Sequence, residues 1–385
     1  MNKILSQRAR EWSVLPTAAL HGKVSEMQAS GESIIDLSIG ISNLPMPETG
    51  KKAAIKAIEE NNVPYTAIGG TGELKKAIQQ RVKRENAIDC DLSEIIVSTG
   101  AKQAIFQALY VLTNPGDEVG VIRPYWAAYT QILTMLDLTP VFYELDEVSL
   151  LKDRKRNPKL KALLFDIPHN PTGQVFTRDE LQDVIAFAKK NNLYVISDEG
   201  YEKLIYDGEH ISLATIDETF KDHIVTIFSI SQSFSMMGWR LGYTIADKKI
   251  IQGMEAIQSS ITAATSAVTQ VAVQNILNEK SAYSKDLLEE FRHRRDVMFA
   301  AFQKISWLSC DRPQSGPYFW CNIEKKATNT LDFCLKLLAE KKLAIIPGDA
   351  FGQSGWLRIA FNIESIPVLE DAVERLSSFG EQYDE

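Results

Sequence analysis

Residues Thr177–Tyr201 read TRDELQDVIAFAKKNNLYVISDEGY. The first part, Arg178–Asn191, has the spacing of an amphipathic helix, opened by Thr177 as an N-cap with Glu180 three residues on. The second, Leu193–Asp198, is a short apolar run rich in β-branched residues that stops on a carboxylate. A helix of ordinary length running straight into a buried-type strand is the repeating unit of an α/β protein.

The same alternation recurs on both sides of that stretch. Strand-like runs lie at Glu94–Ser98, Glu118–Arg123, Pro140–Glu144, Lys161–Pro168, Ile224–Ile230 and Leu241–Ala246, and Lys102–Leu112 is another clear helical pattern. With Leu193–Asp198 these make seven strands, and the alternation implies a mostly parallel sheet flanked by helices on both faces. Ligands of such sheets bind beyond the carboxyl ends of the strands. From about Tyr283 the pattern changes. A charged helix (Asp286–Ile305) leads to short strands around Tyr318–Ile323, Leu343–Ile346 and Trp356–Phe361, then a closing helix from Ile366. The expectation is a large domain over 46–284 and a smaller α+β domain built from both termini, 1–45 and 285–385.

The chain has 385 residues, 45% of them hydrophobic and 24% charged, as in ordinary globular proteins. Its net charge of −8 argues against a nucleic-acid binder, which needs a basic face. Cys90, Cys310, Cys321 and Cys334 show neither the spacing of a zinc or redox site nor a disulfide framework, so no metal is expected and a reducing cytoplasm fits. Lys3, Arg8, Arg10 and Glu11 precede no uninterrupted apolar run, so no secretory signal is expected. No stretch reaches the roughly 20 apolar residues of a membrane span.

Four polar segments fall just past predicted strands. Ser98-Thr99-Gly100-Ala101-Lys102-Gln103 opens a helix, where backbone N–H groups and the helix dipole suit a phosphate. His169-Asn170-Pro171-Thr172-Gly173 needs no function as a turn. Asp198-Glu199-Gly200-Tyr201 ends an apolar strand, and a carboxylate there is costly to bury without a cationic partner, which favours a functional Asp198. Ser229–Tyr243 gathers hydroxyls with Arg240, eight residues after Gln232, as an anion site would.

Taken together and in this order, these segments resemble the fold-type I, class I/II aminotransferases, enzymes that use pyridoxal 5′-phosphate (PLP). The likeness runs over nearly the whole chain. It includes Tyr65 in Tyr-Thr-Ala-Ile-Gly-Gly-Thr-Gly, Pro124-Tyr125-Trp126, Pro347-Gly348-Asp349-Ala350-Phe351-Gly352 and Leu357-Arg358-Ile359-Ala360-Phe361. The resemblance implies a role for each matching residue. Asp198 pairs with the pyridine nitrogen, Asn170 and Tyr201 hydrogen-bond the ring's 3-oxygen, and Trp126 stacks on the ring. Gly100, Ala101 and Lys102, with Ser229 and Arg240, hold the phosphate. Tyr65 reaches the phosphate of a neighbouring subunit, which implies a homodimer with shared active sites. Arg358 grips the substrate's α-carboxylate in a two-pronged contact, beside Asn170 and the backbone near Gly40. His21 and His169 are more often structural, but His21 keeps interest because the family's N-terminal segment can fold over the substrate pocket.

One position departs from the pattern. Where the family has the lysine that forms the Schiff base with PLP, this chain has Gln232. An amide nitrogen is neither nucleophilic nor usefully basic. Three readings follow: a Lys→Gln replacement that traps an intermediate, a binding protein that holds PLP or a PLP–amino-acid adduct without turnover, and an enzyme whose base is His21 or Tyr201. With lysine restored, the reaction implied is transamination between an L-amino acid and a 2-oxo acid. Gly40-Ile41-Ser42-Asn43 and Ala263-Ala264-Thr265 depart from the usual family sequences. The run Leu20-His21-Gly22-Lys23-Val24 is similar to a branch that oxidises cationic amino acids such as L-arginine with molecular oxygen.

Overall fold

The computed structural model describes residues 16–40, 42–155, 157–279, 283–362 and 364–383. Lys3, Arg8, Arg10, Glu11 and Ile41 lie outside the described residues. The chain divides into two compact units, one of Met1–Gly40, Arg294–Arg312 and Tyr318–Glu385, the other of Ile41–His293 and Pro313–Pro317. One division falls between His293 and Arg294, inside the helix Tyr283–Phe302, whereas the sequence reading puts it at 284/285. A continuous helical pattern carries no punctuation at such a point.

The larger unit is organised by a seven-stranded sheet. In chain order its strands are β1 (Ile95–Ser98), β2 (Glu118–Arg123), β3 (Thr139–Glu144), β4 (Leu160–Asp166), β5 (Tyr194–Asp198), β6 (Ile224–Ser229) and β7 (Gly242–Ile245). Across the sheet they lie β1-β7-β6-β5-β4-β2-β3, and only β7 runs antiparallel to its neighbours. The seven runs seen in the sequence are therefore the seven strands, with ends shifted by a few residues. The largest shift is at β4, which stops at Asp166 rather than continuing to Pro168.

Helices cover both faces. Among them are α1 (Gly72–Asn86), α2 (Ala101–Leu112), α3 (Ala128–Met135) and α4 (Arg178–Asn191). The start of α4 is the capping box the sequence announces. The Thr177 hydroxyl accepts the Glu180 N–H at 3.3 Å and the Glu180 carboxylate accepts the Thr177 N–H at 2.7 Å. In β5, Val195 packs with Leu181, Phe187 and Ala188 of α4, while Ile196 packs on the other face with Ala104, Ile105 and Leu109 of α2. A strand buried on both faces needs a continuous apolar run, which is why Tyr194–Ile196 does not alternate. Each such side chain stabilises the fold by about 1.5–3 kcal/mol. The sheet therefore dictates where the polar residue at the end of each strand must sit.

The smaller unit holds a four-stranded antiparallel sheet in the order Ile346–Pro347, Trp356–Ala360, Tyr318–Asn322, Ser309–Cys310. Ile35–Asp36 pairs in parallel with Leu343–Ala344. The expected single strand Leu343–Ile346 is thus two, since the chain changes sheet at Ile345. Leu20 and Val24, from the helix Pro16–Ala29, are buried with Trp320, Leu338, Ile346 and Phe351. Among the described residues no helix is long and apolar enough to cross a membrane.

Candidate active site

The carboxyl ends of the parallel strands carry two unlike clusters. The first lies where β1 turns into α2. Gly100 is the N-cap of α2, with φ +81° and no side chain to cap the exposed N–H groups. A Cβ there would lie 2.6 Å from Arg240 Nη2, so the missing side chain is what lets the guanidinium approach the helix start. Arg240 is itself left-handed (φ 52°) and donates from Nη1 to the Met237 carbonyl at 2.9 Å. Lys102 adds a second cation, with Nζ 5.2 Å from the Trp126 ring centroid. Burial, and then the Arg240 charge, hold the Lys102 ammonium below its usual range. An open cavity of about 660 Å³ adjoins this corner, lined by Thr99, Ser235, Met237, Arg240, Thr265 and Ser266 among others. Two cations at a helix N-terminus are chemistry for an anion.

Ser229 ends β6 and accepts the Ser231 N–H at 3.2 Å, starting the short helix Ile230–Ser233 that carries Gln232. Gln232 is half-buried.

The second cluster is acidic. Asp198 ends β5 at 8% exposure, and its Oδ2 accepts the Tyr129 hydroxyl at 3.2 Å. Burial pushes its carboxyl up to about 6, against the Tyr129 and Gly200 hydrogen bonds that favour the charged form. Asp166 ends β4 as the direct register partner of Asp198. Its Oδ2 accepts the Asn170 N–H at 2.7 Å, and burial, then the Asp198 charge, push it well above the carboxylate range. Asn170 is buried beside this pair, and Trp126 meets Tyr129 edge-on at 5.5 Å. Tyr201 is half-buried three residues after Asp198. His169 is set apart by burial, which lowers it to about 3, while its Nδ1 meets the Thr172 hydroxyl at 2.8 Å.

Thus the structure gathers Gly100, Lys102, Trp126 and Arg240 at one corner and sets Asp198 in an acidic row with the Asn170 backbone. Tyr65 is apart, 96% exposed. Two residues of the row escape the sequence reading. Tyr129 lies one helical turn beyond Trp126 and was detectable only by that spacing. Asp166 closes an apolar run just as Asp198 does, and the same argument applies to it.

The smaller unit holds the remaining candidates. Arg358, on the strand Trp356–Ala360, is 7% exposed and donates from Nη2 to the Ser38 carbonyl at 2.9 Å. Its guanidinium lies 4.0 Å from the Tyr318 ring centroid and 4.7 Å from that of Phe351. A Cβ at Gly40 would collide with the Tyr318 phenol. His21 Nδ1 is 3.4 Å from the Ser38 hydroxyl, which also bonds Asp36. Burial lowers the His21 pKa, Arg358 lowers it further, and Asp36 opposes both.

Residues 32–376 match the family profile described as aminotransferase class I and II. The chain is 35% identical to a probable aspartate/prephenate aminotransferase of Rickettsia bellii, over 97% of its own length and 98% of that protein. It is 32% identical to the aspartate aminotransferase of Bacillus subtilis, over 98% and 99%. Among solved structures, the aspartate aminotransferase from Thermus thermophilus with maleate superposes with a TM-score of 0.92 at 29% identity, covering 97% of this chain and 99% of that one. That of Rhizobium meliloti gives 0.91 at 29% identity, over 98% and 99%.

Proposed function

The chain belongs to the aminotransferase class I and II family, whose enzymes use PLP, and on that footing we propose that it binds PLP over Asp198 and is shaped to act at the Cα of an L-amino acid, with Gln232 withholding the covalent attachment. The residues present fit the cofactor. A buried carboxylate with a raised pKa suits a cationic ring nitrogen, and an uncapped helix start with a guanidinium against its glycine suits a phosphate dianion. The single observation that carries the reading is Asp198, an acid held out of water at the end of a central strand.

Bound PLP supplies an aldehyde carbon for the substrate's amino group and a ring that draws electrons from Cα. Asp198 would hold the proton on the ring nitrogen. Tyr129 holds Oδ2 of that carboxylate in place. Trp126 would cover one ring face, and Asn170 and Tyr201 would bond the 3-oxygen. The Ala101 and Lys102 amides, Ser229 and Arg240 would take the phosphate. Arg358 and the Gly40 backbone are the groups proposed for the α-carboxylate, with His21 a candidate to move protons there. The exposed Tyr65, with Ile55, Ile58 and Val63 nearby in sequence and also exposed, suits a homodimer in which Tyr65 reaches the partner's phosphate. Gln232 can neither make the imine bond nor take a proton from Cα, so the chain as it stands would hold PLP noncovalently and without turnover.

The test begins with a PLP titration read by absorbance and protein fluorescence, followed by borohydride and intact mass. Binding without an adduct at position 232 is expected, and an adduct there would refute the noncovalent reading. Gln232→Lys should then gain the adduct and transfer the amine of L-aspartate, the substrate in the relatives' names, to a 2-oxo acid. Oxygen uptake with L-arginine and no acceptor would instead identify an oxidase. Neither activity after restoration would leave a binding protein.

A further inference from the structure

We propose that Asp166 is a positioning residue for the cofactor's ring nitrogen: it holds a proton beside ionised Asp198 before PLP binds and releases that proton to solvent when the cationic ring docks. This rests on the reading that PLP binds over Asp198.

The geometry comes first. Asp166 and Asp198 are Cα partners on neighbouring parallel strands, so their side chains project from the same face of the sheet, with backbones about 4.8 Å apart. Exposures of 4% and 8% leave little water to screen them. Both accept hydrogen bonds from neutral donors, the Asn170 N–H and the Tyr129 hydroxyl. The groups that face the pair are Tyr129 from α3, the Asn170 and Gly200 N–H groups from the loops after β4 and β5, Tyr201, and Glu199 next along the chain. Tyr129 senses both acids, since its hydroxyl is pushed well up by burial and then by Asp166 and Asp198.

Two carboxylates this close and this dry do not both ionise near neutrality. The proton falls to the member that is harder to ionise. Asp166 is pushed well above the carboxylate range by burial and by the charge on Asp198, against its bond from the Asn170 N–H, whereas Asp198 is raised by burial to only about 6, with Tyr129 and Gly200 favouring its charged form and Glu199 opposing it. A cation placed against Asp198 cancels that carboxylate's charge, which adds to burial in keeping Asp166 protonated, and its own charge favours an ionised Asp166. One carboxylic O–H bond then breaks, its proton passes to solvent, and no other bond changes.

Calorimetry of PLP binding near pH 7, in buffers of different protonation enthalpy, counts the protons exchanged. Asp166→Asn keeps the volume and a neutral acceptor for the Asn170 N–H but has no proton to give. The unaltered protein should release more protons than this variant, by about one-half to one per site. Binding with equal counts overturns the inference and leaves the functional reading intact. No binding by the unaltered protein overturns both. Should the variant fail to fold, aspartate carboxyl carbon resonances of the unaltered protein decide. One buried carboxyl that stays protonated above pH 7 and loses its proton on PLP addition supports the inference; no such carboxyl overturns it.

Discussion

The segment Asp166–Glu202 contains four buried carboxylates, and they fall into two pairs. Glu202 and Glu199 are satisfied from within. Glu202 meets Arg81 in a close ion pair and accepts Asn86 Nδ2 at 2.5 Å. Burial alone would raise its pKa, but Arg81 overrides it and holds the carboxyl down at about 2. Glu199 takes His210 Nε2 at 2.8 Å, the Ser197 and Ser212 hydroxyls at 2.9 Å, and the Leu213 N–H at 3.2 Å. Burial would lower the His210 pKa, and the Glu199 contact raises it instead. Asp166 and Asp198, by contrast, form no ion pair among the described residues. Burial is the same for both pairs. What differs is the counter-charge: the fold provides it for the glutamates and not for the aspartates, whose cation under the proposed function is the ring of PLP.

That contrast predicts opposite outcomes for two substitutions. Arg81→Met strands Glu202 and should cost about 3–5 kcal/mol of stability by urea denaturation, as removal of one partner of a buried pair does. A loss below about 1 kcal/mol would mean that Glu202 does not depend on its cation. Asp198→Asn should leave urea stability at neutral pH unchanged or improved, while PLP affinity falls roughly 30- to 100-fold, about 2–3 kcal/mol. Lost stability with retained PLP affinity would make Asp198 structural.

pH separates the pairs by sign. The folded chain holds the Asp198 proton more tightly than the unfolded one, about 6 against 3.8. Its contribution to stability is full below the lower value and is lost as pH rises through the upper. For Glu202, about 2 folded against 4.5, stability is present above 4.5 and is lost as pH falls toward 2. Between pH 4 and 6, Asp198→Asn should therefore flatten a decline on the order of 2 kcal/mol, measured by denaturation at each pH. A steeper decline in the variant would contradict the assignment.

Much of this was legible in the sequence, for reasons that differ by residue. The seven strands were visible because a sheet covered on both faces demands unbroken apolar runs, and α4 because Thr177 and Glu180 announce its start. Asp198 stood out because a carboxylate ends such a run. Asp166 is hidden by length, since the apolar run continues past it through Ile167 to Pro168, so that in sequence a strand end looks like a strand middle. The switch of sheets at Ile345 was invisible because both short strands are apolar and period alone cannot tell one sheet from another. Pairings such as Tyr129 with Asp198, or Glu199 with His210, are set by tertiary approach, which no local pattern encodes.

The basic corner mirrors the acidic row and gives the smallest prediction. Arg240 and Lys102 are like charges at one helix start, and among the described residues neither forms an ion pair. They are not equivalent. Both are exposed, but Arg240 lies against Gly100 and is braced by the Met237 carbonyl, whereas Lys102 rests over Trp126. An exposed contact of that kind is worth about 0.5–1 kcal/mol, and removing it also relieves repulsion from Arg240. Lys102→Ala should therefore change PLP affinity by no more than about threefold, under 0.7 kcal/mol, in a fluorescence titration at fixed salt. A tenfold loss would shift the phosphate contact from the guanidinium and the α2 amides to the ammonium. The corner would then hold its anion by a point charge rather than by fixed donors, and the likeness to the acidic row, where fixed groups wait for the opposite charge, would fail.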